Sequence, residues 1–330
     1  MKSSKFTFLI CSERSGSNFI TKLMNAHSKI CGPSVKHIIN PVTRNLFRYG
    51  DLNNPSNWKT LLTDIHDLIS VDFSVWKSQF TFETLERLAR PGDTSKLISE
   101  IFFNEAIANN KDHVFIKENQ LYEFLPFLLI HFPSAKFVYL HRDPRDMALS
   151  WKKNPDHKGG IIAAAKQWKK DQQQSLKNHS LLESNNQCIR LSYEKLTSDT
   201  QTEITKVLNF LCFDFEIQIL DFYKDTLTQS NASKVIAWNN LSKGVISNNS
   251  NKFKKELSAK EISYIEKICY FEMMQLGYTP INSKPELDEI PEDLLHNFES
   301  FENHGIAYKP ANGVIDNMKA KAKFYQRYSL

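Results

Sequence analysis

Apolar positions along this chain follow two periods. Phe6-Thr7-Phe8-Leu9-Ile10-Cys11 is a compact apolar, β-rich run of the kind a strand buried on both faces carries, and Ser12-Glu13-Arg14-Ser15-Gly16-Ser17 follows with no hairpin signal. Over 18–27 the spacing of Phe19, Ile20, Leu23 and Met24 predicts a helix. The same order of strand, polar turn and helix returns at 136–141, 142–146 and 147–153. Residues 114–117 and 188–191 predict two further short strands, beside helical stretches at 121–131 and 201–211. Strands alternating with helices predict an α/β fold on a parallel sheet.

Residues 45–110 interrupt that rhythm with long helical patterns carrying Trp58, Trp76, Phe80 and Phe82, and predict an inserted helical cap. These aromatics fit the interior of the cap, and they also suit the wall of an acceptor pocket. Beyond Tyr278 the composition shifts. Acidic residues from Glu286 to Glu302 are followed by Lys319, Lys321, Lys323 and Arg327. Such blocks predict solvated helix faces, with pairing to each other or to a second subunit as the alternative. The expected organisation is one domain over 1–280, with its cap at about 45–110, and a helical C-terminal extension over 281–330 packed on or beside it.

Composition narrows the class. The 330 residues are 41% hydrophobic and 24% charged, which excludes collagen-like, low-complexity and wholly disordered chains. A net charge of +5 is too small to demand nucleic acid, yet it favours an anionic small ligand where it clusters. Cysteines 11, 31, 188, 212 and 269 form no CxxC pair, so neither zinc nor a redox couple is expected, and reduced thiols fit a cytoplasmic protein. No apolar run reaches 18 residues, and the apolar stretch 6–11 is too short for a signal sequence.

A loop between a buried strand and a helix N-terminus offers unpaired N–H groups at the positive end of a helix dipole, where phosphate binds. Arg14-Ser15-Gly16-Ser17-Asn18 supplies such a loop. Gly16 permits close backbone approach, Ser15, Ser17 and Asn18 add donors, and Arg14 adds a forked charge. The Walker pattern GxxxxGK[ST] is absent, and with it the lysine and magnesium-holding hydroxyl of a triphosphate-cleaving site. Alone, the loop also reads as a surface turn. Arg142 and Ser150, on either side of a strand end and its helix, would face the same pocket and suit a second phosphate at the carboxyl edge of the sheet. A plainer reading makes Asp143 an N-cap, Pro144 the first helical residue and Arg142 a partner of Asp146. It leaves Ser150 unexplained.

With both loops in view, the sequence resembles the sulfotransferases that use 3'-phosphoadenosine 5'-phosphosulfate (PAPS). Arg14 to Phe19 resembles the 5'-phosphosulfate loop, with arginine where the cytosolic branch has lysine and phenylalanine where that branch stacks tryptophan on adenine. Arg142 to Ser150 is similar to the 3'-phosphate motif, and Tyr193-Glu194 to a motif whose tyrosine lies near the adenine. Lys243-Gly244 is similar to the late loop that closes over the 3'-phosphate. The resemblance spans roughly residues 5–280. It implies a three-layer fold around a central parallel sheet, with a phosphate loop like that of P-loop NTPases. It also implies PAPS as co-substrate, no metal, and PAPS-binding roles for Arg14, Ser15, Gly16, Ser17, Asn18, Phe19, Arg142, Ser150, Tyr193, Lys243 and Gly244.

The departures concern the base. The cytosolic branch's catalytic histidine would fall at Asn119, and an amide is no base. The segment Cys31 to His37 is similar to one from which other branches present a glutamate or histidine. Here the glutamate is missing and His37 remains, a side chain whose ordinary pKa of roughly 6.5 suits a proton acceptor. Glu118 is the second candidate, against simple pairing with Lys117 or Lys111. Arg14 and the loop amides would stabilise charge on the leaving oxygen, and Lys117 could share that role, although a strand-end lysine also reads as a solvated charge. Ser242 stands where the family has arginine before lysine-glycine, which shifts weight onto Arg142, Ser150 and Lys243.

The expected reaction is sulfuryl transfer to a hydroxyl or amine on a small-molecule, lipid, glycan or peptide acceptor. Nucleic acid is not an expected partner, and a homodimer stays open. One rival is a nucleotide or small-molecule kinase with a degenerate phosphate loop. The other is a protein that binds the nucleotide without catalysis.

Overall fold

The apolar runs pair in parallel, as strands hydrophobic on both faces require. The computed structural model describes residues 5–154, 157, 159–247, 249–302 and 310–327. Its first half runs β1 (Phe6–Cys11), α1 (Ser17–Ala26), β2 (Ile30–Cys31), α2 (Ile39–Asn45), α3 (Pro55–Ser70), α4 (Phe82–Leu88), α5 (Thr94–Ala108), β3 (His113–Lys117), α6 (Leu125–His131) and β4 (Lys136–His141). Next come α7 (Pro144–Lys152), α8 (Gly160–Glu183), β5 (Cys188–Ser192), α9 (Tyr193–Ser198), α10 (Thr200–Leu211) and α11 (Thr226–Ala232). The chain continues with α12 (Phe253–Glu256), α13 (Ala259–Leu276), α14 (Lys284–Asp288), α15 (Glu292–Glu302) and α16 (Asn312–Gln326). The helix expected over 121–131 is split into a 3-10 turn and α6, because Pro126 in the first turn of α6 has no N–H to continue the earlier turn.

The five strands lie in the order β2-β3-β1-β4-β5, and every pairing is parallel. Alternation along β1 divides the interior in two. Phe8 and Ile10 join a core built with α3, α5 and α8, whereas Leu9 and Cys11 join one built with α1 and α10. Helices therefore cover both faces of the sheet in three layers. Trp58 and Trp76, in the segment read as a cap, are 3% and 5% exposed in the first of these cores, with Phe80 and Phe82 packed against it. The cap helices thus share the interior of the sheet rather than owning a separate one.

The charges of the C-terminal segment turn back onto the body. Glu302 accepts from the N–H groups of Ile161 and Ile162 at the start of α8, and Glu299 pairs with Lys166. In α16, Lys323 pairs with Asp67, and Arg327 just beyond the helix grips Asp64, both partners lying on α3. The solvated faces expected from sequence are, at these residues, salt links across the fold. All five cysteines are free, and among the described residues no helix is long and apolar enough to cross a membrane.

Candidate functional site

Because β1 lies between β3 and β4, the chain changes side there, and the loops leaving β1 and β4 meet at the carboxyl edge of the sheet. The first loop ends on Gly16, whose φ of 86° is a left-handed value that glycine adopts without strain, and no side chain caps the α1 helix it opens. A Cβ at this position would meet the ring of Tyr193 at 2.3 Å. The second loop starts α7 as its residue types require: the Asp143 side chain accepts from the Arg145 N–H at 2.9 Å, and Pro144 is the first helical residue.

The two loops touch. Arg142 Nη1 donates to the carbonyl of Arg14 at 2.8 Å, and Arg14 Nε donates to Ser150 Oγ at 3.1 Å. The Arg142 guanidinium lies 4.3 Å from the centre of the Tyr193 ring, and its Nη2 donates to the carbonyl of Asn249 at 3.0 Å. Between them opens a cavity of about 330 Å³ lined by Arg14, Gly16, Ser17, Asn18, Phe19, Arg142, Ser150 and Tyr193, together with Asn249 and Lys252. The Nε of Arg142 and the Oγ of Ser15 are buried with no hydrogen-bond partner among the described residues.

Some expected residues stand elsewhere. Ser15 is fully buried beneath the loop. Lys243 is exposed and Gly244 lies beside Tyr223; neither is on the cavity wall, where Lys252 and Asn249 stand instead. Asp146 does not take Arg142 as its partner. It accepts from the N–H groups of Asn251 (2.5 Å) and Phe253 (3.0 Å), and so pins the late loop to α7. Sequence reasoning also missed the supports beneath the loops: Trp168 Nε1 donates to the carbonyl of Arg142, and Gln172 Nε2 to Ser12 Oγ. They are two core positions of one helix and carry no motif.

On the β3 side runs a polar chain whose members, like His37 and Glu118, stand off the cavity wall. Lys117 Nζ donates to Asn119 Oδ1 at 2.8 Å, and Asn119 Nδ2 donates to Glu13 Oε1 at 2.5 Å. Glu13 Oε2 lies 2.8 Å from His157 Nε2. Burial works against the Glu13 carboxylate, but His157, Lys117 and Arg14 outweigh it and hold its pKa below the usual value. Burial lowers the Lys117 ammonium.

Glu118 faces the other way. Its carboxylate accepts from the N–H groups of Ile38 (2.5 Å), Ile39 (2.8 Å) and Asn40 (3.2 Å), and burial pushes its pKa up to about 7. Neither lysine partner expected for it is found: Lys117 bonds to Asn119, and Lys111 Nζ donates to the carbonyl of Asn25.

His37 is clamped from both sides. Glu118 holds the residue after it, and the preceding Lys36 donates to the carbonyls of Ile69 and Val71. Its φ of 60° is a strained value for a side-chain-bearing residue, and its ring rests on Phe73 at 5.5 Å. Burial, joined by the charges of Lys321 and Lys117, holds the imidazole pKa well below its ordinary value.

A family model for the sulfotransferase family matches residues 7–216. No curated protein matches significantly. Among solved structures, the sulfotransferase domain from the curacin biosynthetic pathway is similar at 18% identity and TM-score 0.54, over 84% of this chain and 98% of that one. The sulfotransferase domain of the Synechococcus PCC 7002 olefin synthase is similar at 17% identity and TM-score 0.55, over 82% and 96%. Two loops bonded to each other at one sheet edge and a family match over most of the chain converge: this chain belongs to the sulfotransferase family.

Proposed function

We propose that this chain is a PAPS-dependent sulfotransferase that moves a sulfuryl group to a hydroxyl or amine of its acceptor and releases adenosine 3',5'-bisphosphate (PAP). The observation that carries the proposal is the direct bond between the two loops, which opens both onto one cavity. The cavity suits a bisphosphorylated nucleoside: its wall brings together Arg14, Arg142 and Lys252, and the Nε–H of Arg142 has no partner among the described residues. Arg14, the first-turn amides of α1 and Ser17 would hold the 5' end. Arg142, Ser150 and Lys252 would hold the 3'-phosphate, and Phe19 and Tyr193 would flank the base. Bound there, PAPS supplies an activated sulfuryl group on a good leaving phosphate.

The residues of the chain then have separate tasks. Arg14 and the loop amides stabilise negative charge on the departing oxygen, with Lys117 adding a buried cation within electrostatic reach of Arg14. His37, neutral at physiological pH, accepts the proton of the acceptor at its imidazole. Glu118 fixes the backbone on which His37 is carried. The test is calorimetric titration with PAP followed by an acceptor screen with radiolabelled PAPS in the presence of EDTA. PAP binding and metal-independent label transfer are expected. Magnesium-dependent ATP turnover would favour the kinase, and PAP binding without transfer to any acceptor would favour a binding protein.

A further inference from the structure

The helix that follows Arg142 begins with its capping roles divided between two elements. Asp143 is the N-cap of α7, and its side chain accepts from the Arg145 N–H. In a capping box the residue three positions on reaches back to the N–H of the N-cap. Here that residue is Asp146, and its carboxylate is spent on the amides of Asn251 and Phe253. The Asp143 N–H goes instead to Glu194, whose Oε1 accepts it at 2.9 Å.

The same peptide is held at its other end. Its carbonyl is that of Arg142, which accepts from the indole N–H of the fully buried Trp168 at 2.9 Å. The C=O and N–H of a trans peptide point in opposite directions, so Trp168 and Glu194 grip the Arg142–Asp143 plane from its two sides. Tyr193, the residue before Glu194, sets its ring 4.3 Å from the Arg142 guanidinium. Neighbouring residues at the start of α9 thus hold both ends of one arginine, Glu194 its backbone and Tyr193 its charged group.

Glu194 is itself built in. Its Oε2 accepts from Ser192 Oγ at 2.7 Å and from the Tyr278 hydroxyl at 2.9 Å, and that hydroxyl lies 2.8 Å from His141 Nδ1. Burial lowers the His141 pKa to about 3, so the ring is neutral. Tyr278 gives its one proton to Glu194, which makes His141 Nδ1–H the donor to Tyr278. Three neutral donors, one of them the Asp143 N–H, meet the Glu194 carboxylate. An ionised acceptor makes such bonds roughly twice as strong as a neutral one.

We propose that Glu194 is a positioning residue that sets the preference of this chain for a nucleotide carrying a 3'-phosphate, by holding the Arg142–Asp143 peptide so that the Arg142 guanidinium stays on the cavity wall. This rests on the PAPS reading above, which places Arg142 on that phosphate. Two nitrogens of the guanidinium are tied to the carbonyls of Arg14 and Asn249, and a rotated peptide would draw both ties out of line together. Glu194 is not on the cavity wall. Its effect passes through Arg142 and falls on the 3'-phosphate alone.

The experiment compares two probes that differ only in that group. PAP and AMP affinities are measured by calorimetry for the unaltered chain, which should prefer PAP, and for its variants. Glu194→Ala should weaken PAP binding by about tenfold while AMP affinity stays within about twofold. Glu194→Gln keeps a carbonyl acceptor for the Asp143 N–H and should restore most of the loss. Trp168→Phe deletes only the donor on the other side of the peptide and should show the same selective loss. In an Arg142→Ala background, Glu194→Ala should change PAP affinity by less than about twofold, because the group it acts through is gone. Retained AMP binding also reports that a variant is folded. Equal losses for both probes, no loss for either, or a full further loss in the Arg142→Ala background overturn the role of Glu194 and leave the PAPS reading standing. If the unaltered chain binds PAP no better than AMP, the PAPS reading itself fails and this proposal falls with it.

Discussion

Arg142 Nη1 donates to the backbone carbonyl of Arg14 at 2.8 Å, so the residue after β4 completes the loop after β1. A guanidinium that spends one nitrogen on its neighbouring loop still turns its charge into the cavity they share. Arg142→Ala therefore removes a ligand contact and a loop tie together. PAP affinity should fall by about 1.5–3 kcal/mol, the range for hydrogen bonds to charged groups. Arg142→Lys should recover little, because a point charge cannot serve Arg14, Asn249 and the ligand at once. Unchanged PAP binding in Arg142→Ala would remove this residue from the site.

Gly16 couples backbone and ring. Gly16→Ala forces a Cβ into the Tyr193 ring and into a left-handed conformation that costs an L-residue about 1–2 kcal/mol. PAP binding should be lost and the melting temperature lowered. Adding Tyr193→Ala clears the clash but not the φ cost, so the double variant should regain part of the stability. Full stability of Gly16→Ala alone would show that the loop relaxes freely.

The two loops were legible because each is a local unit: a buried strand, small polar residues and a helix start, all within a short window. Asp143 and Pro144 declared a helix start for the same reason. What could not be read depends on contacts distant in sequence. Lys252 rather than Lys243 reaches the cavity because Asp146 fixes the register of a loop that has no periodicity of its own. Glu118 read as a candidate base or as a partner of Lys117 or Lys111, since nothing local reveals that three amides of the α2 start would close on it. The two-residue strand β2 is too short to leave a pattern. Lys321 sat in a basic tail that reads as solvated until α16 is seen to be fastened to α3.

Arg145 is structural, although it belongs to the same motif as Arg142. It reaches Asp143 through Nε (2.9 Å) and Nη2 (2.6 Å), Glu266 through Nη1 (2.7 Å), and stacks on Phe253. Glu266 is fully buried and Asp143 nearly so. Arg145→Met would strand two carboxylates away from water, at a cost of about 3–5 kcal/mol in urea unfolding. Adding Glu266→Gln should return part of that stability. A loss under about 1 kcal/mol would show that the carboxylates find other partners.

The last expectation concerns pH. Burial, then the charges of Lys321 and Lys117, disfavour the His37 imidazolium, so the ring stays neutral well below the ordinary histidine range. If His37 takes the acceptor proton, kcat/KM should stay flat through about pH 6.5 and its acid limb should lie lower. Stability follows the same sign. The unfolded chain protonates this histidine near pH 6.5 while the folded chain resists, so its contribution is present above that pH and is lost as pH falls toward the folded value. Lys321→Met removes one of the two cations and should move the acid limb upward, toward the ordinary range. His37→Ala should abolish that limb and lower kcat with little change in PAP affinity. A pH–rate profile bending at 6.5 or above in the unaltered chain, or one that His37→Ala leaves untouched, would assign proton transfer to another group. Glu13 beside His157 would then be the first to test, by Glu13→Gln.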